Sequence, residues 1–437
     1  MRILFVTQAE KTHMLSMVPL AWALRSAGHD VRVASQPDLR EAVVETGLPF
    51  CAVGPPYALE QYLRAFKALE SQHVDGEAGA GLGVTVDLDG MDTDELLELY
   101  GGVVNYWLRM VNDLMLDDLV ALCRQWGPDL VIWEPKTYAG GIAAEAAGAS
   151  HARFLWGMDV LTQMRIEIED RTPDPEQAWE RDNLARWLAG RAARYGVEFG
   201  ESLVHGQVTL DPFPEEVQLE LGTRTSRRPI RYVPFNGAAR VPAWLRSRPD
   251  HPRVCVTMGS SSMERFDGNH HLGDFLAALA ELDVEIIATL PDKQSEELRT
   301  LPDNVRIFSH VPMQPLLETC DAVVHHGGAG TCLTAMSLGV PQLIISDLVM
   351  PKYQFDERVL AGRLAAQGAS IELSGEDVTP ARTREALRSL LAGSGFRRGA
   401  GLLRERMLGT PTPAEFARRV EELVMGGVRP DDPVPTA

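Results

Sequence analysis

Short apolar runs alternate with amphipathic helical patterns along most of this chain, and that alternation predicts parallel α/β sheets. Each run is short enough for a buried strand and is followed by a segment whose apolar residues recur at helical spacing. The first half is predicted to contain strands at Ile3–Val6, Val31–Ala34, Phe50–Val53, Leu130–Trp133, Ala152–Leu155 and Val208–Leu210. The second half repeats the scheme at Val254–Met258, Glu285–Leu290, Val305–Ser309, Ala322–His325, Gln342–Ser346 and Ala369–Leu373.

Prolines crowd the segment from Asp211 to Pro252, where we expect no helix or strand to persist. With 437 residues, the chain is long enough for two domains. We predict an N-terminal domain at 1–215, a linker at 216–252 and a second domain at 253–410. The remaining residues, 411–437, should form a helix that returns toward the N-terminal domain, followed by a tail.

The composition narrows the class of protein. A net charge of -19 without a basic cluster argues against a nucleic-acid surface, and an anionic ligand would have to be captured by local groups. No apolar run reaches the length of a membrane span, and the N-terminus resembles a first strand more than a signal peptide. The five cysteines form no CxxC motif, so we expect unpaired thiols in a cytoplasmic protein.

One glycine turn carries the clearest chemical signal. The strand ending at His325 is followed by His326 and then by Gly327, Gly328, Ala329, Gly330 and Thr331, after which a helical pattern begins. Amide groups at a helix N-terminus and the helix dipole together bind phosphate, and glycine lets the backbone approach it closely. We therefore predict a phosphate-binding turn at 327–331, with His325 adding a hydrogen bond. His326 is expected to be structural.

Three further loops follow strands of the second half and are candidates for the same ligand. Ser260 and Ser261 can contact a diphosphate, although a helix cap is an equally good reading. The extended backbone at His310 and Val311 can pair with the edge of a base. Asp356 and Glu357 can accept hydrogen bonds from sugar hydroxyls, or can simply form the acidic first turn of a helix.

The first half contributes a candidate base. His13 lies in the loop after the first strand, where an imidazole facing a cleft can remove a proton near neutral pH. Such a base needs an acceptor on its other ring nitrogen, and Glu134, after the fourth strand, is the nearest candidate by topology. Taken alone, each residue would more often be structural or exposed.

Other motifs in the sequence give little evidence of function. The glycines of 76–83 follow no strand, and Asp87 and Asp89 lie in the same acidic stretch, so we interpret both as surface. His270 and His271 are expected to be an exposed pair. The sequence contains no GxxxxGK[ST], GxSxG or HExxH motif.

In combination, His13, the His310 loop, the HHGGAGT turn and the Asp356–Glu357 pair make the chain resemble GT-B glycosyltransferases, which have two Rossmann-like α/β domains facing a cleft. The segments Val18–Leu24, Gly28–Ala34 and Trp133–Pro135 are similar to actinobacterial glycosyltransferases that attach deoxysugars to macrolide or aromatic polyketide aglycones. The resemblance spans about residues 1–425.

The resemblance implies an inverting, metal-independent transferase that uses a dTDP- or UDP-sugar as co-substrate and has no cofactor. His13 would be the general base, oriented by Glu134, and the residues of the second half would bind the donor. The family commonly has Asp-Gln where this chain has Asp356–Glu357, which puts the usual sugar hydroxyl pattern in doubt. A bulky apolar acceptor would contact Tyr106, Met110, Trp156 and Met158, in and beyond the helical segment Leu96–Trp126.

Alternatives stay open at this point. An epimerase or hydrolase of the same fold would need several carboxylates around the anomeric carbon. A non-catalytic partner protein could keep the glycine turn but would not need a base at His13. The resemblance also leaves open a helper protein, which some deoxysugar transferases require, and a homodimer.

Overall fold

The computed structural model describes residues 1–57, 88, 90–222, 225–247, 249–259, 272–290, 301–346, 356–374 and 377–425. Within these residues the strands form two fully parallel sheets, as the alternating pattern predicted. The strands are β1 Arg2–Val6, β2 Asp30–Ser35, β3 Phe50–Ala52, β4 Leu130–Trp133, β5 Ser150–Phe154, β6 Val208–Asp211, β7 Arg227–Pro229, β8 Arg253–Thr257, β9 Glu285–Thr289, β10 Val305–Phe308, β11 Ala322–His325, β12 Gln342–Ile345 and β13 Ser370–Leu373.

Helices connect these strands on both faces of each sheet. They are α1 Lys11–Ser26, α2 Arg40–Glu45, α3 Thr93–Gly102, α4 Arg109–Asp113, α5 Leu116–Trp126, α6 Ala139–Ala146, α7 Val160–Asp170, α8 Pro175–Arg181, α9 Asn183–Ala193, α10 Ser202–His205, α11 Leu272–Ala280, α12 Met313–Leu317, α13 Ala329–Leu338, α14 Glu357–Ala366, α15 Pro380–Ala392, α16 Ser394–Gly409 and α17 Pro413–Met425. A π-helical turn at Val103–Leu108 joins α3 to α4, and short 3₁₀ helices lie at Pro37–Leu39 and Ala243–Arg246.

The strand order creates one crevice in each sheet. The first sheet has the order β3-β2-β1-β4-β5-β6-β7 and the second β10-β9-β8-β11-β12-β13. The order reverses between β1 and β4 in the first sheet, and between β8 and β11 in the second. Ligands of open α/β sheets bind at the carboxyl ends of the strands beside such a switch point. We therefore expect ligand-binding and catalytic residues in the loops that follow β1, β4, β8 and β11.

Alternate residues of the strands enter the cores on opposite faces of each sheet. In β1, Ile3 and Phe5 pack in one buried cluster, whereas Leu4 and Val6 pack in another. Because both faces are covered by helices, the strand is almost continuously apolar, as parallel strands usually are. This explains why apolar runs without polar alternation located the strands.

The predicted strands are all confirmed, with ends that differ by at most two residues. The expectation that no element persists between 211 and 252 was wrong. β7 pairs with β6 at Thr209 to Asp211 and extends the first sheet, and a 3₁₀ helix follows at Ala243–Arg246. β7 reads RRP, so neither apolar content nor alternation marked it as a strand. The domain limits drawn from the sequence remain a proposal.

Two other local predictions need correction. His13 does not lie in a loop, because α1 begins at Lys11 and places His13 in its first turn. Glu10 is the N-cap residue but makes no side-chain capping bond, so the usual signal for a helix start is missing. The helical segment predicted at Leu96–Trp126 is interrupted by the π-helical turn and again between Asp113 and Leu116.

The final helix packs against the beginning of the chain. Ala417 and Val420 of α17 belong to the same buried cluster as the apolar face of α1. The backbone N–H of Arg231 donates to the carbonyl of Pro411 at 2.7 Å, and its guanidinium donates to the carbonyls of Leu408 and Thr410. The chain therefore returns to the first sheet next to Arg231, in the segment that leaves this sheet after β7.

Some predictions fall outside the described residues. They concern Ser260 and Ser261, the glycines of 76–83, the acidic residues Asp87 and Asp89, the pair His270–His271, and the tail from 428 to 437. Among the helices that are described, none combines the length and apolar character needed to cross a membrane. All five cysteines are unpaired.

Close packing of α6 on β4 supports the end of the strand that precedes Glu134. A methyl group at Gly140 would lie 2.5 Å from the Cβ of Trp133, which is fully buried. We predict that Gly140→Ala lowers the free energy of unfolding by about 1–3 kcal/mol, because helix and strand must move apart. Urea denaturation measures this change.

Gly190 of α9 is the matched control, because it is helical and exposed and has no atom within 4 Å of an added methyl group. Gly190→Ala should stabilise the protein by about 0.5–1 kcal/mol, since alanine favours the helix. Equal effects of the two substitutions would contradict the packing argument.

Candidate active site

The switch point of the first sheet brings His13 and Glu134 together. β1 and β4 pair in register with Val6 beside Trp133, so the residues that follow them emerge side by side. The Nδ1 of His13 lies 3.4 Å from Oε2 of Glu134. The side-chain nitrogen of Gln8, also at the end of β1, lies 3.3 Å from the same ring nitrogen. In the tautomer whose Nδ1–H donates to Glu134, Nε2 is unprotonated and can accept a proton.

Glu134 is held by several donors although it is fully buried. The hydroxyl of Thr137 donates to Oε1, while the indole N–H of Trp156 and the backbone N–H of Lys136 donate to Oε2 at 2.6 and 3.2 Å. Burial alone would raise the pKa of Glu134, but the neighbouring His13 and the hydrogen bonds outweigh it and lower the pKa to about 2. The carboxylate is therefore charged across the physiological pH range and can stabilise an imidazolium.

Trp156, which the sequence suggested as an acceptor contact, lies against His13 and Glu134. These two residues are called the dyad below. Its ring stacks on the imidazole of His13 with centroids 3.8 Å apart and an angle of 19° between the planes. Its N–H is the donor to Glu134 described above. Trp156 is half-buried, and its role in acceptor binding stays a prediction.

Lys136 was not singled out from the sequence, yet it lies next to the dyad. Its Nζ is 5.0 Å from the ring centroid of Trp156 and 5.5 Å from that of Trp107. Burial lowers the pKa of Lys136, while nearby carboxylates, Glu134 and Asp356 foremost, oppose that shift. The only sequence signal was its place in the loop after β4, two residues beyond Glu134.

The loop of Lys136 is fixed to the helical segment opposite. Asn112 is buried in α4 and donates to the carbonyls of Leu108 and Lys136, at 2.7 and 2.8 Å. Its side-chain oxygen accepts the backbone N–H of Ala139 at 2.8 Å. One asparagine therefore ties the π-helical segment to the loop that carries Glu134.

The glycine turn leads directly into the N-terminus of α13. α13 begins at Ala329, and its N-cap, Gly328, has no side chain to occupy the free amides. Gly327 has a φ of 104°, which favours glycine strongly. The helix N-terminus therefore carries its partial positive charge without a hydrogen bond from the side chain of its N-cap residue. Gly330 is exposed and Thr331 is half-buried beside it.

His325 is engaged within the protein. It is fully buried, its Nε2 lies 3.0 Å from Oε1 of Gln342, and its Nδ1 accepts the N–H of Gly327 at 3.1 Å. Burial lowers the pKa of His325 to about 3, so the ring is neutral. A bond from His325 to a phosphate would need one of these contacts to break. Its role as a phosphate contact thus stays a prediction that the observed bonds do not favour.

His326 instead lies across the two loops of the second switch point. Methyl groups placed on Gly259 and Gly328 would come within 2.5 and 2.8 Å of its ring. Gly259 follows β8 and Gly328 follows β11, so the imidazole of His326 lies between the loops on either side of the crevice. This packing is compatible with the structural role predicted for His326, which stays a prediction.

Asp356 joins the two halves of the molecule. Its Oδ2 accepts the backbone N–H of Met158 at 2.7 Å, and a methyl group at Gly157 would lie 2.5 Å from the same oxygen. Glu357 packs beside Gly327, where an added methyl group would lie 3.1 Å from its Cβ. Glu357 thus lies at the glycine turn, and Asp356 contacts the first half; the predicted bonds of the pair to sugar hydroxyls stay a prediction.

The remaining predicted residues differ in how far they are buried. Met158 is buried in a cluster with apolar residues of α13 and α14, so its side chain joins the two halves. Tyr106 is 58% exposed on the π-helical turn, and Met110 is half-buried in α4. His310 is exposed after β10, whereas the side chain of Val311 is buried. Their contacts with substrates stay predictions. In the described ranges, no three His, Cys, Asp or Glu side chains are grouped as metal ligands.

Comparisons with known proteins agree with this architecture. The N-terminal domain of erythromycin biosynthesis protein CIII-like proteins matches residues 22–259, and the C-terminal domain of the same family matches residues 273–423. The aclacinomycin-T 2-deoxy-L-fucose transferase of Streptomyces galilaeus is 40% identical over 97% of this chain and 96% of its own length. The 10-deoxymethynolide desosaminyltransferase of Streptomyces venezuelae is 40% identical over 98% of this chain and 99% of its own.

A solved structure shows the same fold. The glycosyltransferase VinC, in complex with dTDP, superimposes with a TM-score of 0.84 at 36% identity, covering 98% of this chain and all of VinC. The fold, the cleft and these relatives define the class of protein, which is a GT-B glycosyltransferase. Within that class, the chain belongs to the erythromycin biosynthesis protein CIII-like family, whose two domains it matches in order.

The environment of Asp356 predicts a pH-dependent stability. Burial and the adjacent Glu357 raise the pKa of Asp356 to about 7 from an ordinary value of 3.8. The folded state therefore favours the protonated form, and the resulting stabilisation is complete below about pH 4 and lost as the pH rises through 7. Asp356→Asn, which can still accept the N–H of Met158, should raise the melting temperature by several degrees at pH 8 and little at pH 5.

Asp118→Asn is the control, because Asp118 is an exposed carboxylate that also accepts a backbone N–H, from Gly54 at 2.9 Å. Thermal unfolding of both variants between pH 5 and 8 measures the difference. A gain for Asp356→Asn that is the same at every pH would argue against the raised pKa.

Proposed function

We propose that the protein transfers a deoxyhexose from a dTDP-sugar to a hydroxyl group of an apolar, polyketide-type aglycone, with inversion at the anomeric carbon. The named activities of the relatives support a deoxysugar, and the dTDP complex of VinC supports the nucleotide. The observation that carries the mechanism is the pairing of His13 with a buried, charged Glu134 at the switch point of the first sheet.

In this mechanism His13 is the general base. Its Nε2 accepts the proton of the acceptor hydroxyl while the hydroxyl oxygen attacks the anomeric carbon. The bond between that carbon and the diphosphate oxygen breaks on the opposite side, so the configuration inverts. Glu134 keeps the Nδ1 proton in place and stabilises the imidazolium that forms. Holding both substrates in line across the cleft supplies much of the rate.

The leaving diphosphate would be stabilised by the glycine turn. As the bond breaks, negative charge grows on the phosphate oxygens, and the amides at the start of α13, which have no side-chain cap, would bind it. We infer that His326, between Gly259 and Gly328, contacts this diphosphate more directly than His325. Local donors of this kind are needed because a chain with a net charge of -19 does not attract an anion over distance.

Removal of the base should stop transfer without preventing donor binding. We expect His13→Ala to lower kcat by about 10²- to 10⁴-fold while the Kd for dTDP, measured by calorimetry, changes little. Mass spectrometry of glycosylated acceptor measures turnover. The glycine turn binds the nucleotide in the other half, which explains the difference between the two effects.

His251→Ala is the matched control for this experiment. His251 forms an ion pair of 2.8 Å with Asp283 on an exposed surface before β8, so its loss removes a similar pair away from the cleft. Wild-type turnover by His13→Ala would rule out the base assignment. If the wild-type protein released free sugar from the dTDP-sugar without any acceptor present, the result would instead favour a hydrolase.

The proposal also predicts turnover without a divalent metal ion. Because backbone amides and a helix dipole take the place of a metal at the diphosphate, excess EDTA should leave kcat unchanged within error. A transferase assay with and without EDTA, followed by addition of Mg²⁺, measures this. Activity that EDTA abolishes and Mg²⁺ restores would show that the diphosphate depends on a metal.

A further inference from the structure

Trp156 contacts both members of the proposed dyad through different parts of one indole. The ring face stacks on His13, with centroids 3.8 Å apart, and the N–H donates to Oε2 of Glu134 at 2.6 Å. Oε2 is the same oxygen that lies 3.4 Å from Nδ1 of His13. A single rigid side chain thus sets both the plane of the imidazole and the direction of the carboxylate.

The indole is itself held in place from several sides. Lys136 lies over its ring at 5.0 Å, within reach of a cation–π attraction. The chain after it is anchored, since Gly157 leaves room for the carboxylate of Asp356 and the N–H of Met158 donates to that carboxylate. Trp156 therefore lies where the base side of the cleft joins the donor side.

We propose that Trp156 is a positioning residue for catalysis, which aligns His13 and Glu134 and links their alignment to Asp356 through the turn at 156–158. This rests on the proposed function, in which His13 is the base. The role differs from acceptor binding, because it acts through the dyad and not through contact with the aglycone.

Loss of the indole N–H should lower kcat and leave both KM values nearly unchanged. Oε2 of Glu134 would lose its shortest hydrogen bond and could rotate away from His13, so fewer molecules would hold the dyad in the productive geometry. Because a hydrogen bond to a charged group is lost, we expect Trp156→Phe to lower kcat by about tenfold to a hundredfold. Phenylalanine keeps an aromatic ring against His13, so the fold should tolerate the change.

A double-mutant cycle separates positioning from a structural role. The four proteins are wild type, Trp156→Phe, Glu134→Gln and the double variant, each measured for kcat and for KM of donor and acceptor. If Trp156 acts through Glu134, the Trp156→Phe effect should shrink by about fivefold or more in the Glu134→Gln background, because the charged acceptor is already gone. If the two substitutions act independently, their effects on kcat should multiply in the double variant.

Trp22→Phe is the control for loss of an indole hydrogen bond. Trp22 lies on α1, the helix of His13, and donates to the carbonyl of Thr46 at 2.9 Å on an exposed surface. Its substitution should leave kcat unchanged. Should Trp156→Phe melt below the assay temperature, Trp156→Tyr repeats the cycle, because tyrosine also keeps a ring and lacks the indole N–H.

The outcomes distinguish this inference from the proposed function. Multiplicative effects in the cycle, or a raised acceptor KM with normal kcat, would overturn the positioning role, and the second would show that Trp156 binds the acceptor. If His13→Ala is inactive while the cycle is multiplicative, only the role of Trp156 fails. If His13→Ala retains turnover, the base assignment itself fails.

Discussion

Two parallel strand pairings, β1 with β4 and β8 with β11, govern where the chemistry of this protein lies. Each pairing joins strands whose connections run to opposite sides of the sheet, so a crevice opens at their carboxyl ends. In the first sheet that crevice receives His13 and Glu134, and in the second it receives the loop at Gly259 and the glycine turn. His13 and Glu134, which are more than a hundred positions apart in the sequence, become neighbours because β1 pairs with β4.

The cleft combines two opposite electrostatic environments. On the base side, a buried carboxylate stays charged because hydrogen-bond donors and His13 surround it, which keeps the pKa of Glu134 low. On the side of the glycine turn, burial beside Glu357 raises the pKa of Asp356, and the N-terminus of α13 has no side-chain cap. The turn at 156–158 touches both sides, so the orientation of the dyad is coupled to the contact between the two halves.

The strands of both sheets could be predicted because buried parallel strands are apolar on both faces and appear as uninterrupted runs. β7 escaped prediction because its residues, Arg227 to Pro229, are polar and its place in the sheet comes from pairing with β6. The proximity of His13 to Glu134 followed from topology, whereas the helical position of His13 had no capping signal to reveal it. Trp156 was predicted as an acceptor contact, whereas its contacts with His13 and Glu134 were not predicted.

By itself the sequence determined the two-sheet class, the glycine turn and the loops that could carry a base, since each depends on local pattern and chain order. The tertiary structure decided which polar atoms meet. It engaged both nitrogens of His325 in internal bonds, placed His326 between two glycine loops and directed Asp356 to Met158 of the other half. Such contacts depend on side-chain directions and packing between distant segments, and no local pattern encodes them.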